Sequence, residues 1–75
     1  MEFGERLKSL RIAHELTQKE LAKALNMTES MLSRYETGKR LPNLDVFLQL
    51  ANYFDVSADY LLGRDIKKDN AERKR

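Results

Sequence analysis

Between Thr28 and Gly38 the chain reads TESMLSRYETG, and most of its polar members are side chains suited to base edges. Arg34 can bond in bidentate fashion to O6 and N7 of guanine, the commonest specific base contact. Glu29 can accept from cytosine N4, while Ser30 and Ser33 can bond to several bases or to a phosphate. At 100° per residue, Glu29, Ser30, Ser33, Arg34 and Thr37 fall on one face. Leu32 and Tyr35 point the other way, flanked by Thr28, Met31 and Glu36. A helix with one apolar side and one side of short polar tips plus an arginine suits a major groove roughly 12 Å wide. These four residues, Arg34, Ser30, Ser33 and Glu29, are the candidate base contacts.

A second set suits phosphates. Gln18, at the start of a preceding helix, offers a side-chain amide and free backbone N–H groups. Thr28, Thr37, Lys39, Arg40 and Asn43 flank the polar helix and complete the candidate phosphate contacts. Taken singly, Ser30, Thr37 and Lys39 read better as ordinary solvated residues, whereas Arg34 and Gln18 stand out from that background. The net charge of +2 says little by itself, because charged residues make up 35% of the chain and both signs are mixed. Placement is more telling. Arg34, Lys39 and Arg40 cluster mid-chain, and Lys67, Lys68, Arg73, Lys74 and Arg75 crowd the end. A basic patch beside a surface helix is the electrostatic footprint expected for a nucleic-acid backbone.

The elements that must position these residues are all helices. Phe3, Leu7, Leu10 and Arg11 recur at three- and four-residue spacing and predict a first helix over about 3–14. Thr17 and Glu20 form a capping-box pair that starts a second helix over 18–25, with Leu21, Ala22 and Leu25 inward and Asn26 as its left-handed stop. Thr28 caps the third helix and Gly38 ends it. A loop over 38–43 contains Pro42, Asn43 caps a fourth helix over 44–54, and Ser57 and Gly63 bracket a short fifth. The second and third helices are joined by only a few residues, which forces a steep crossing: a helix-turn-helix unit. The expectation is an all-α, five-helix domain over 1–63. Residues 64–75 are expected to form a charged tail, frayed helix or disordered, or the start of a linker.

Composition removes several classes. A chain of 75 residues makes one small domain. With no cysteine and the single histidine His14, no disulfide framework, thiolate metal site or zinc site is expected. No clustered carboxylate pair or glycine-rich loop marks a catalytic centre, so no enzyme activity, cofactor or small-molecule ligand is expected. Nothing resembles a membrane span or a signal peptide, and a cytoplasmic protein is expected.

One charged pair points inward. Arg11 lies near the apolar face of the first helix and Glu36 on the edge of the third. Buried charges persist only when paired and hydrogen-bonded, so a structural Arg11–Glu36 salt bridge is expected between these helices.

The stretch LTQKELAKALNMTESMLSRYETGK, Leu16 to Lys39, resembles the helix-turn-helix of phage repressors and Cro proteins. From about Phe3 to Gly63 the chain is similar to the XRE-type bacterial regulators, through LTQKELA, the S-R-Y-E-x-G segment at Ser33–Gly38 and LANYFDVSADYLLG. The resemblance implies a five-helix domain that binds double-stranded operator DNA, usually as a homodimer on paired half-sites. It carries phosphate contact to Gln18 and base contact to Glu29, Ser30, Ser33 and Arg34. Two positions depart from the pattern. Met31 replaces a small or polar residue, so its side chain is partly exposed or meets a thymine methyl. Glu29 stands where several phage repressors place glutamine, and its carboxylate can reject wrong sequences through repulsion.

The competing expectation is a protein-interaction module, such as an antitoxin or adaptor, that reuses the fold. Leu44, Leu48, Leu62 and Ile66 favour it, as apolar residues in excess of a small core; they also fit a weak dimer contact or ordinary surface leucines.

Overall fold

Cap chemistry fixes where each helix begins. The Thr17 hydroxyl accepts from the Glu20 N–H at 3.0 Å while the Glu20 carboxylate accepts from the Thr17 N–H at 2.9 Å, the full reciprocal box. Thr28 Oγ1 accepts from Met31 N at 3.1 Å, Asn43 Oδ1 from Val46 N at 2.9 Å, and Ser57 Oγ from Tyr60 N at 3.0 Å. The computed structural model describes residues 3–63. Among them are five helices: α1 (Phe3–Ala13), α2 (Gln18–Ala24), α3 (Glu29–Thr37), α4 (Leu44–Phe54) and α5 (Ala58–Leu61). α1 and α2 each stop one residue short of the expected end. The expected tail over 64–75, with Ile66 and the terminal basic residues, lies outside the described residues.

The stops share one device. Glu15, Asn26, Gly38 and Asp55 adopt left-handed φ values of 58°, 59°, 83° and 56°. In each case the next residue's N–H reaches back five residues: Leu16 to Arg11, Met27 to Ala22, Lys39 to Arg34 and Val56 to Ala51. That is the wide bond of the Schellman motif, which satisfies a carbonyl the helix ladder leaves free. Asn26 and Gly38 were expected as stops; Glu15 and Asp55 were not, because their residue types give little sign of it.

α3 packs against α1 and α2, and α5 against α4 and α1. The shared core is formed by Leu7, Leu21, Leu32, Leu50 and Leu61, all fully buried, with Phe3, Leu25, Tyr35 and Phe54 around them. Phe3 carries this packing to α4 through Phe47, the ring centroids being 5.7 Å apart. His14 closes α1: its Nδ1 donates to the Leu10 carbonyl at 2.9 Å, and its ring meets Phe54 edge-on at 4.9 Å. Arg6 of α1 covers the Tyr60 ring of α5 at 4.3 Å. α1 approaches the end of α3 so closely that a Cβ on Gly4 would lie 2.5 Å from the Glu36 carbonyl oxygen and 2.7 Å from that of Tyr35. No described helix is long and apolar enough to cross a membrane.

Candidate nucleic-acid interface

The recognition-type helix α3 begins and ends where its caps dictate, and its two faces divide as its periodicity requires. Leu32, Tyr35 and Glu36 are buried, while Glu29, Ser30, Arg34 and Thr37 are exposed. Met31 is half-buried and packs against the core. Ser33 differs from expectation. It is half-buried rather than fully on the open face, although its helical position lies within the polar stripe, so its cover comes from neighbouring elements rather than from its own turn. Among the expected base contacts, Arg34, Ser30 and Glu29 are therefore exposed and Ser33, between them on the helix, is half-buried.

The caps divide their hydrogen-bonding capacity usefully. Thr28 and Asn43 turn oxygen acceptors inward to the helix N–H groups. The hydroxyl proton of Thr28 and the amide hydrogens of Asn43 remain as outward donors, the polarity a phosphate needs. Thr37 is the reverse case. Its hydroxyl donates to the Arg34 carbonyl at 3.3 Å, so in this rotamer it offers only lone pairs, and its expected phosphate contact requires rotation about χ1. Lys39 and Arg40 are exposed, and both their N–H groups bond the Arg34 carbonyl, at 3.0 and 3.3 Å. That bonding folds the basic loop back against the end of α3.

The inward pair is present as expected. Arg11 Nε donates to Glu36 Oε2 at 2.7 Å and Nη2 to Oε1 at 3.2 Å, with the two side chains 12% and 2% exposed. Arg11 Nη1 also donates to the Leu16 carbonyl at 2.7 Å, so one guanidinium joins α1, the segment leading into α2, and α3. Sequence reasoning missed the third partner. Gln18 Nε2 donates to Glu36 Oε1 at 3.0 Å. Gln18 is half-buried and its amide is tied inward, rather than standing free for a phosphate as expected. One of the two amide hydrogens remains available.

Residues 7–61 match the helix-turn-helix family. The chain belongs to that family, in its XRE-type, phage-repressor-like form. It is 46% identical over 71 residues to the HTH-type transcriptional regulator ImmR of Bacillus subtilis (strain 168), covering 93% of this chain and 56% of ImmR. It is 39% identical over 62 residues to the HTH-type transcriptional activator BcrR of Enterococcus faecalis, covering 83% of this chain and 30% of BcrR. The helix-turn-helix fold also superposes on the P22 c2 repressor protein, solved in complex with the synthetic operator 9T in the presence of Tl+. There the TM-score is 0.81 at 29% identity, covering 87% of this chain and 98% of the other. The chain thus spans about half of ImmR and less than a third of BcrR.

Proposed function

We propose that this chain is a sequence-specific double-stranded DNA-binding transcriptional regulator that inserts α3 into the major groove of an operator. The observation that carries the reading is the open polar face of α3, with Arg34 exposed on it and donor-bearing caps and the Lys39–Arg40 loop at its ends. A phosphate backbone on either side of a groove meets donors and cations there, while base edges meet Arg34, Ser30, Ser33 and Glu29. Gln18, Thr28, Asn43, Lys39 and Arg40 fix the register, and Thr37 joins them after rotation. Similarity to a protein named as an activator and to one named as a repressor supports transcriptional control in general. Repression is the direction we propose, since groove occupancy alone can exclude other proteins. A cytoplasmic location fits this reading.

One domain reads few base pairs, so affinity in physiological salt calls for two copies on paired half-sites. The apolar face beyond the α3–α4 loop fits that need. Leu41, Leu44 and Leu62 are 72%, 68% and 45% exposed. They border a concavity of about 370 Å³ that Phe3, Pro42 and Phe47 complete. A homodimer closing on this face removes the surplus apolar surface from water.

The test is selection of bound sequences from randomised duplex DNA at two salt concentrations. The reading expects enrichment of a two-fold-related sequence and a steep loss of affinity with salt. Absence of duplex binding at low salt refutes it in favour of a protein-interaction module.

A further inference from the structure

The Arg11–Glu36 bridge was expected to be purely structural, yet its carboxylate has a third ligand that charge balance does not require. Arg11 already supplies two donors and a full compensating charge. We propose that Glu36 is a positioning residue for DNA, holding the Gln18 side chain ready for a phosphate. The proposal rests on the DNA-binding reading above and names how one of its contacts is set.

An ionised carboxylate can only accept hydrogen bonds. Glu36 Oε1 therefore selects the nitrogen end of the Gln18 amide, at 3.0 Å, and excludes the flipped orientation. One amide hydrogen is engaged and the second remains free, in a group whose orientation is no longer open. An exposed glutamine loses rotamer freedom when it is ordered. Here the ordering precedes the ligand, so less is lost on binding. Burial strengthens the effect. The Glu36 side chain is 2% exposed, so water cannot replace the bond at little cost.

Connectivity gives the bond a further consequence. Glu36 belongs to α3, the helix that presents Arg34, whereas Gln18 opens α2. The same carboxylate joins both to Arg11 of α1. The phosphate clamp is thereby referenced to the base-reading helix itself, through a single atom, Glu36 Oε1, that receives both Arg11 Nη2 and Gln18 Nε2.

The experiment is a double-mutant cycle on affinity for a duplex selected by the wild-type chain, with thermal unfolding measured for each variant. Glu36→Gln keeps one carbonyl oxygen, expected to stay at the Oε2 position on the shorter bond from Arg11 Nε, and sets an amide nitrogen opposite Gln18 in place of Oε1; Gln18→Ala removes the clamp. Each single change is expected to weaken binding about five- to tenfold. The double variant is expected to bind within about twofold of either single one. A scan of single neutral methylphosphonates supplies a readout that fold stability does not move. The phosphate whose neutralisation no longer matters in Gln18→Ala is expected to lose its effect in Glu36→Gln as well. Should Glu36→Gln not fold, Glu36→Asp takes its place in the cycle, since it keeps the charge Arg11 requires while drawing the acceptor back from Gln18. Additive losses, or a phosphate profile of the Glu36 variant equal to wild type, overturn the proposal. A wild-type chain that binds no duplex overturns the DNA reading itself, which is a separate result.

Discussion

Gly4→Ala sets two physical effects of opposite sign against each other. By helix propensity alone, replacing a helical glycine with alanine stabilises by up to about 1 kcal/mol. By packing, the new methyl would stand 2.5 Å from the Glu36 carbonyl oxygen and 2.7 Å from that of Tyr35, both backbone atoms that cannot rotate away. Real Cβ atoms essentially never approach within 3.0 Å, so α1 and the last turn of α3 must separate by roughly half an ångström or more, at a cost of about 1–3 kcal/mol. Packing wins, and a net loss of about 1–2 kcal/mol is expected. In a domain of this size that lowers Tm by about 5–10 °C. Urea and thermal unfolding of the two proteins side by side measure it. The displaced turn carries Glu36 and Thr37, so affinity for a selected duplex is expected to fall as well. An unchanged or raised Tm refutes the reasoning, because it means the α1–α3 approach is looser than the structure has it.

Other perturbations follow from the same contacts. Arg11→Ala leaves the Glu36 carboxylate buried and unpaired, and is expected to cost about 3–5 kcal/mol in urea unfolding. Arg11→Met with Glu36→Met together should recover most of that loss. Asp55→Gly relieves a left-handed φ of 56° and is expected to be neutral or to stabilise by up to about 1 kcal/mol, read by thermal unfolding; clear destabilisation contradicts the conformation assigned to Asp55. Thr28→Ala removes the α3 cap at 3.1 Å and should cost about 1 kcal/mol of stability, with DNA affinity falling too if its hydroxyl also meets a phosphate. Leu44→Asp places a charge on the exposed apolar face and is expected to abolish two-site occupancy on a paired half-site duplex, while one-site binding persists in a mobility-shift titration.

Much of the fold was legible because its information is local. Thr17 with Glu20, Thr28, Asn43 and Ser57 each cap within three residues of themselves, and the apolar spacing of Leu21, Leu25, Leu32 and Tyr35 reports the core directly. The left-handed stops at Glu15 and Asp55 were hidden, since the closing bonds rather than the residue types impose them. The site was legible in composition but not in coupling. Arg11 and Glu36 could be paired by the need of buried charge for a partner, whereas the Gln18 bond to Glu36 depends on the crossing of α2 and α3, which no spacing rule supplies. The inward hydroxyl of Thr37 and the half-burial of Ser33 have the same origin, in rotamer choice and neighbour placement.

The central claim is that α3 reads base edges in the major groove, chiefly through Arg34. Replacing guanine by 7-deazaguanine, one position at a time in a selected duplex, removes a major-groove acceptor and leaves base pairing intact. One guanine per half-site is expected at which the change weakens wild-type binding by about 1–3 kcal/mol and leaves Arg34→Ala unaffected. Equal sensitivity of the two proteins at every guanine, or none in either, contradicts the claim.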